Sequence, residues 1–545
     1  MKTKIAKWLG ILLIGLTGCY DYSNFDNIVI DPFSTAYVFP LINSKITFKD
    51  LAERVGTNSI VELDPLTNMY SVAYRDTLDL GLASTLFPIN SISLPSQTFD
   101  FGGLIPPGFT AYGPITIPLS QTYNAIPGAE IKRIDFYDGT IQFDFINNYN
   151  HTINGNITIT SLKNASNVSM VIPYSLISLE SKSFSSNLIG YHLDLFELPN
   201  TYNKIKFSVT ATITSSGNLS LAGNIAIQPS INSTNQLITG KIVYPFDLPN
   251  QTYQIGLFKS TILADQHIAE PKIALSFINS FGLPSSVNFT YFDIVNLSGL
   301  VPIVHEGPVN TGDLLIGSPN TIKSATASKL SDTTKLTLNA SNSNIEILFD
   351  DAPKSLSFGA SFKIGDAADP SHDYFIRSDS KFQLQSDIKI PLKGWVITNK
   401  IADTIPNIDW PNFENDFKLT NQKFRLKCKF DNGLPLDMYL QAYFLDQTGL
   451  IKVDSLFDSG SNWFIKSAPV NPATGESIGT APAWSYISID KTKYDKISQS
   501  KNMVLVFMFK TRDADHLPTP QNITILSTNS IAIEMSIEAS GTVKP

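Results

Sequence analysis

The stretch Lys204-Ile-Lys-Phe-Ser-Val-Thr-Ala-Thr-Ile-Thr214 alternates apolar and polar side chains along its whole length. Successive side chains of a β-strand point to opposite faces of the sheet, so this pattern puts every apolar residue on one face. The same alternation returns at Leu356 to Ile364 and at Ile531 to Ile537. We therefore expect an all-β chain built from antiparallel sheets, each with one buried face.

A short string marks the beginning of three similar units. Phe145-Ile-Asn147 returns as Phe277-Ile-Asn279 and as Phe430-Asp-Asn432, at intervals of 132 and 153 residues. Asn, Gly and Pro favour turns, and the flanking stretches alternate, so each copy predicts the first hairpin of a domain. A chance recurrence of so short a string is the alternative.

The repeat predicts four units after residue 35. A small N-terminal β-rich unit is expected at residues 36–125, followed by three tandem Ig-like β-sandwiches at residues 126–262, 263–410 and 411–545, a size typical of such folds. Two short helices are also expected. One runs from Phe48 to Val55, and the other runs from Lys491 to Ser498, directly after Asp490.

Length and charge limit the classes of partner. The chain has 545 residues, which is more than one hydrophobic core accommodates. Its formal net charge is −8, and no block of like charge interrupts the sequence. Nucleic acid is therefore not an expected partner.

The N-terminal residues are typical of an exported protein. Lys2, Lys4 and Lys7 form a basic flank, and an apolar segment runs from Trp8 to Leu16. This segment is too short to span a bilayer, and residues 1–18 fit a cleaved signal peptide.

The end of this segment, Leu16-Thr-Gly-Cys19, resembles a bacterial lipobox. The resemblance implies that Cys19 carries several acyl chains and anchors the mature protein to a membrane, with residues 19–35 as a tether. Tyr20 rather than Asp follows the cysteine, which resembles the sorting rule for the outer membrane. The sequence leaves open whether the protein faces the periplasm or the exterior.

The other cysteine, Cys428, lies in a strand-like stretch where apolar residues alternate with cations, from Phe424 to Phe430. Cys428 shares its face with Phe424 and Phe430, so it is expected to point inward as a core thiol. A nucleophile or a metal ligand is the alternative role.

Over most of its length the chain resembles cell-envelope lipoproteins of Bacteroidota. The resemblance rests on the lipobox, the entry Phe39-Pro-Leu41, hairpins such as Asn432-Gly-Leu-Pro435, and Asp-Ser/Thr triplets. Some lipoproteins of comparable architecture, the SusE/SusF-like proteins, use tandem β-sandwiches to hold polysaccharide at the cell surface. The triplets resemble O-glycosylation acceptors and begin at Asp76, Asp332, Asp403 and Asp454.

Two acidic loops are candidate cation sites because Ca²⁺ takes six to eight oxygen ligands. One loop contains Asp366, Asp369 and Asp373, and the other contains Asp513 and Asp515. The alternative is a solvated turn whose carboxylates bond to the local backbone.

Aromatic residues of the last unit suggest a ligand site. Trp463 and Trp484 bracket a stretch rich in Gly, Pro, Ser and Thr, and Tyr486 follows. A loop of this length in a compact domain is often functional, and flat rings on it can stack on sugars. The alternative is that the tryptophans fill the core of a sandwich.

The function expected from these features is non-enzymatic binding or scaffolding by a lipid-anchored envelope protein. The six histidines stand alone, and no metalloprotease, nucleophile-elbow or phosphate-loop motif occurs. The expected partners are the membrane and a polysaccharide or an outer-membrane protein. A structural subunit of an outer-membrane complex and a glycan hydrolase with two distant carboxylates are the alternatives.

Overall fold

A computed structural model of the chain describes residues 33–47, 59–87, 91–101, 108–124, 126–218, 222–259, 261–406, 419–457, 463–514 and 520–543. The signal peptide at residues 1–18, Cys19, most of the tether and the helix expected at Phe48 to Val55 lie outside these residues. The described part is essentially all-β, with 35 strands numbered along the chain and every sheet antiparallel, as the alternating sequence predicts.

Helices are few and short in the described residues. The α-helices are α1 (Ala83–Leu86), α2 (Ile345–Asp350) and α3 (Lys491–Ile497), and Gly256–Phe258 form one turn of 3-10 helix. Helix α3 confirms the sequence prediction, because the Asp490 side chain accepts a hydrogen bond from the Lys493 amide at 2.7 Å and caps the first turn. None of the described helices has the length and hydropathy needed to cross a bilayer.

The first sandwich has a five-stranded and an eight-stranded sheet. The smaller sheet contains β4 (Ser91–Ser93), β5 (Gln97–Phe99), β8 (Thr140–Asn147), β11 (Ser181–Asn187) and β14 (Ile225–Asn232). The larger sheet contains β6 (Ala111–Thr122), β7 (Glu130–Phe136), β9 (Thr152–Asn164), β10 (Ser169–Leu176), β12 (Tyr191–Asp194), β13 (Lys204–Thr214), β15 (Gln236–Lys241) and β25 (Phe375–Arg377). Phe143 and Phe207 join the sheets, with ring centroids 6.0 Å apart.

The second sandwich has a five-stranded and a six-stranded sheet. The smaller contains β2 (Ser59–Leu63), β3 (Tyr70–Leu82), β19 (Lys272–Asn279), β23 (Asp332–Asn339) and β26 (Lys381–Pro391). The larger contains β16 (Tyr244–Asp247), β17 (Gln251–Gln254), β20 (Ser285–Asn296), β21 (Gly299–Pro302), β22 (Pro319–Ile322) and β24 (Ser355–Ile364). Phe277 and Phe362 meet between the two sheets at 5.6 Å.

The third sandwich has a four-stranded and a seven-stranded sheet. The smaller, here called the C-terminal sheet, has the order β1 (Phe33–Thr47), β35 (Ser530–Val543), β28 (Leu419–Asn432), β32 (Ala481–Ile489). The larger contains β18 (Thr261–Ile268), β27 (Lys393–Pro406), β29 (Leu436–Leu445), β30 (Lys452–Ser455), β31 (Trp463–Ile465), β33 (Asn502–Thr511) and β34 (Ile523–Thr524).

The three smaller sheets repeat one arrangement. The strand that ends in the repeated asparagine pairs with the last strand, in chain order, of its own smaller sheet: β8 with β14, β19 with β26, and β28 with β35. On its other side the same strand pairs with β11, β23 or β32. This shared topology supports the internal repeat inferred from the sequence.

The separate N-terminal unit expected at residues 36–125 does not form. Strand β1 pairs with β35 of the third sandwich, β3 pairs with β26 of the second, and β4 and β5 pair with β14 of the first. The segment therefore adds strands to all three sandwiches in reverse chain order. Alternation predicts strands, but it carries no information about which open edge each strand joins.

The expected boundaries at residues 262 and 410 are also crossed. Strands β16 and β17, assigned by the sequence to the first sandwich, pair with β24 of the second. Strand β27, assigned to the second, pairs with β33 of the third, and β25 joins the sheet of the first. Each sandwich is thus assembled from distant segments, and one buried hydrophobic cluster runs through parts of all three.

Candidate functional site

Strand β32, at the edge of the C-terminal sheet, carries two exposed aromatic side chains. Trp484 is 63% exposed and Tyr486 is 56% exposed. They are two residues apart and so lie on one face of the strand, about 6.6 to 6.8 Å apart along it. Pro482 fits an edge position because a residue without an N–H weakens a strand paired on both sides. Large aromatic groups at this exposure are available to a ligand.

The burial pattern of the neighbouring strand β28 shows which face of the sheet the β32 side chains occupy. The inward residues Phe424, Leu426, Cys428 and Phe430 of β28 are between 1% and 8% exposed. The alternate residues of β28 must then face outward, and β32 pairs with them in register, Trp484 opposite Lys429 and Tyr486 opposite Lys427. The two aromatic rings and the cations of β28 therefore share one outer face.

A cation lies against each ring. The Lys429 Nζ atom is 5.3 Å from the Trp484 ring centroid, and the Arg425 guanidinium carbon is 5.3 Å from the Tyr486 centroid. These distances are within the range of cation–π attraction, which holds the side chains in place against each other. We call Trp484, Tyr486, Arg425, Lys427 and Lys429 the aromatic–cationic face.

Two carboxylates of β35 border this face. Glu538 accepts hydrogen bonds from Arg425, at 2.9 Å, and from Lys427. Glu534 accepts from Lys429 at 3.0 Å. Hydrogen bonds from Lys427 and Arg425 hold the pKa of Glu538 below its usual value. Three cations therefore share two carboxylates, and the face keeps a positive excess on a chain whose net charge is negative.

This arrangement suits recognition of an extended polar ligand. The aromatic rings offer flat apolar surface, while the cations and carboxylates offer hydrogen-bond donors and acceptors beside it. Such a combination of aromatic anchors and a few fixed polar groups is typical of binding sites.

The strand that contains Trp463 belongs to a different sheet from the aromatic–cationic face. Residues Trp484 and Tyr486 lie in strand β32 rather than on the loop expected from the sequence, and Trp463 lies in β31, opposite Leu440 of β29 in the larger sheet. The Trp463 side chain lies outside the described residues. The predicted platform of Trp463, Trp484 and Tyr486 is therefore reduced to its last two members.

The carboxylates of the first acidic loop point to separate partners. Asp366 lies 3.4 Å from Lys363, Asp373 lies 2.7 Å from Lys132, and Asp369 accepts a hydrogen bond from the Tyr374 hydroxyl. Hydrogen bonds lower the pKa of Asp369 and of Asp373, the first bond coming from Tyr374 and the second from Lys132. The structure therefore does not bring these three residues together as a calcium ligand set.

The second acidic loop gives no ligand set in the described residues. Asp513 has a positive φ of 55° and lies 3.4 Å from the Arg512 side chain, while Asp515 lies outside the described part. Across the described ranges, no group of three His, Cys, Asp or Glu side chains is close enough to hold a metal ion.

Cys428 is the core thiol that the alternation predicts. It is 1% exposed and carries no disulfide, and burial raises its pKa to about 12. A thiol held in its neutral form inside a sandwich is a poor nucleophile.

The threonines of three Asp-Thr triplets lie in strands rather than in loops. Thr77 lies in β3, Thr333 in β23 and Thr404 in β27, and all three are exposed. Their glycosylation stays a prediction.

Sequence reasoning alone does not identify Arg425, Lys427, Lys429, Glu534 and Glu538 as parts of a site. The alternation from Phe424 to Phe430 does place the cations on the outer face of β28. The missing information was the pairing of β28 with β32, which lies about 50 residues later in the chain. Period-two alternation in Ala481–Ile489 was the one signal that Trp484 and Tyr486 belong to a strand.

Neither the protein-family models nor the curated proteins contain a match to this sequence. Among solved structures, a Parabacteroides distasonis ATCC 8503 protein inferred to be secreted is similar at 10% identity, with 92% of this chain and 99% of that chain covered and a TM-score of 0.26.

Two further structures are similar at lower scores. One comes from the triple jelly roll fold and turret assembly of an archaeal virus, with 11% identity, 78% and 82% coverage and a TM-score of 0.11. The other is the PBSX exported protein XepA, with 9% identity, 55% and 86% coverage and a TM-score of 0.13. Similarities of this size carry no argument about function.

Proposed function

We propose that this protein is a non-enzymatic binding protein of the cell envelope and that the aromatic–cationic face holds a polysaccharide. The observation that carries the proposal is the pair of exposed rings, Trp484 and Tyr486, each fixed by a cation on the neighbouring strand. Contiguous exposed apolar groups that are rimmed by polar side chains commonly mark an interaction site.

The ligand class follows from the chemistry of the face. Sugar rings present C–H groups that pack on aromatic faces and hydroxyl groups that bond to Arg, Lys and carboxylate side chains. The two rings lie along one strand, as an extended glycan requires. The positive excess of the face favours glycans that contain acidic sugars.

The test uses the full chain and three single variants. Trp484→Ala and Tyr486→Ala should leave the melting temperature nearly unchanged, because both residues are exposed, and should reduce binding to a glycan selected on an array by at least about tenfold. Tyr137→Ala is the matched control, because Tyr137 is 54% exposed in the first sandwich.

Two results would overturn the proposal. One is an array on which the protein binds no glycan. The other is equal affinity of the Trp484→Ala, Tyr486→Ala and Tyr137→Ala variants for the selected glycan. Weaker binding at high salt is the expected sign that the cations contribute.

We also propose that acyl chains on Cys19 anchor the protein to the outer membrane. The support is the lipobox-like ending of a short, basic-flanked apolar segment. Cys19→Ser should move the protein from the membrane fraction to the soluble fraction in cells. Retention of that variant with membranes after a high-salt wash would contradict the anchor.

A further inference from the structure

A cavity of about 260 Å³ lies where the second sandwich meets the third. Leu257 and Leu392 close it from the second sandwich, and strands β18, β27, β29 and β33 of the larger third sheet line the rest. The strands that line it belong to the larger sheet of the third sandwich, whereas the aromatic–cationic face belongs to the smaller sheet.

The lining is mostly apolar. Its apolar residues include Leu434, Leu436, Met438, Ile523 and Ile525. Dry apolar cavities of about 150 Å³ bind benzene, so a space of about 260 Å³ accommodates a hydrocarbon of about ten carbon atoms.

Two polar side chains in the lining, on neighbouring strands, are bonded to each other. Asn399 donates from Nδ2 to the Gln266 Oε1 atom at 2.6 Å, on strands β27 and β18. Strand β18 is at the edge of its sheet, whereas the leucines and Met438 lie across β29 and its loops. The second amide hydrogen and the carbonyl oxygen of Asn399 are suited to a ligand head group.

The charged side chains in the cavity lining, and the carboxylates beside them, disfavour a ligand with a charged head group. Lys393 pairs with Glu270 at 2.6 Å, and His267 lies 3.2 Å from Asp350 and 3.7 Å from Glu346. Both basic side chains in the cavity lining are therefore engaged by carboxylates. A ligand carboxylate would meet these carboxylates, and a ligand cation would have to enter beside apolar walls.

We propose that this cavity binds a neutral amphiphile: a hydrocarbon chain of about ten carbon atoms lies against the leucines and Met438, and an uncharged hydroxyl or amide head bonds to Asn399. This site is independent of the glycan proposal.

The test measures binding to the full chain by calorimetry and by melting temperature, with 1-octanol, octanoate and octyltrimethylammonium as probes of equal chain length. We expect saturable binding of 1-octanol, a higher melting temperature in its presence, and at least about tenfold weaker binding of the two charged probes. Absence of saturable 1-octanol binding, or equally tight octanoate binding, overturns the proposal.

Two cavity-filling variants locate the site. Val396→Phe fills the cavity from β27 and Met438→Phe fills it from β29, and each should weaken 1-octanol binding at least about tenfold. Val171→Phe, an identical change at a residue 53% exposed in the first sandwich, should have no effect. Unchanged affinity in a folded Val396→Phe or Met438→Phe variant overturns the location.

The comparison of the three probes on the unmodified chain decides the head-group claim even if a variant fails to fold. Loss of glycan binding in Trp484→Ala should leave 1-octanol binding intact, so the two proposals can fail separately.

Discussion

Three buried asparagines perform the same task in the three sandwiches. Asn147, Asn279 and Asn432 each end a central strand and are at most 1% exposed. In each case Oδ1 accepts a hydrogen bond from the amide two residues later, at 2.9 to 3.0 Å. Each Nδ2 donates to a carbonyl of a distant loop, such as that of Lys323. The repeated residue thus ties the first hairpin to the rest of its domain.

Replacement of one of these asparagines should be costly because it leaves buried backbone groups without partners. We expect Asn279→Ala to lower the free energy of unfolding by about 1 to 3 kcal/mol in urea denaturation. Asn187→Ala is the matched control, because exposed Asn187 accepts the same kind of bond, from the Ile189 amide at 2.7 Å. Equal effects of the two changes would contradict the role of burial.

The buried thiol makes stability depend on pH in the alkaline range. Burial raises the pKa of Cys428 from an ordinary value of 9.0 to about 12. A raised pKa in the folded state means that the stabilisation is complete below pH 9 and is lost as the pH rises toward 12, because the unfolded chain ionises first.

The free energy of unfolding should therefore fall by about 1 kcal/mol more between pH 8 and pH 10 in the unmodified chain than in Cys428→Val. The difference between the two proteins isolates Cys428 from buried tyrosines, such as Tyr74, whose pKa is also raised. Urea denaturation at both pH values measures it. Parallel pH dependence in the two proteins would show that the thiol is not held neutral.

Among the elements, helix α3 links the outer edge of the third sandwich to its core. Asp490 caps the helix, and two of the helix's own residues, Tyr494 and Ile497, are buried. The Tyr494 ring stacks on Phe424 of β28 with centroids 4.3 Å apart. The helix thereby closes the end of the sheet that carries the aromatic–cationic face.

Loss of the cap should weaken this closure. We expect Asp490→Ala to lower the free energy of unfolding by about 1 kcal/mol, while Asp490→Asn, which keeps an acceptor oxygen, should cost a few tenths at most. Thermal melting of both variants provides the measurement. A larger loss in the Asn variant than in the Ala variant would contradict capping as the cause.

Local elements were predictable from the sequence where one face alternates strictly. Strand β13 matches its predicted range, Lys204 to Thr214, and the strands predicted at Leu356 to Ile364 and Ile531 to Ile537 lie within β24 and β35. Periodicity reports burial of a face, which is a local property.

The candidate site was only half predictable for the same reason. The exposure of Trp484 depends on its alternation with inward residues of β32, which the sequence contains. Its position beside Lys429 depends on strand pairing, which residues far apart in the chain decide. The Pro and Gly residues around Ser467 to Pro482 also masked the beginning of β32.

At the scale of the whole molecule, the N-terminal segment connects the three sandwiches. It passes from the third sandwich through β1, to the second through β2 and β3, and to the first through β4, β5 and β6. Strand β1 is paired with β35 along almost its whole length, from Phe33 with Val543 to Thr47 with Ser530. A lipid anchor on Cys19 would therefore lie close in sequence to the third sandwich, although that sandwich ends the chain.

This topology predicts which sandwich loses hydrogen-exchange protection first when N-terminal residues are deleted. In a chain of contiguous domains, the order would be the opposite. Deletion of residues 33–47 removes the partner of β35 and exposes a row of unpaired backbone groups in the third sandwich. The first sandwich keeps all its strands. Hydrogen exchange measured by mass spectrometry should therefore accelerate in β35 and β28 and stay unchanged in β14.

Deletion of residues 33–82 should extend the acceleration to β26, the partner of β3. Faster exchange in β14 on deletion of residues 33–47, with β35 still protected, would contradict the strand order described above.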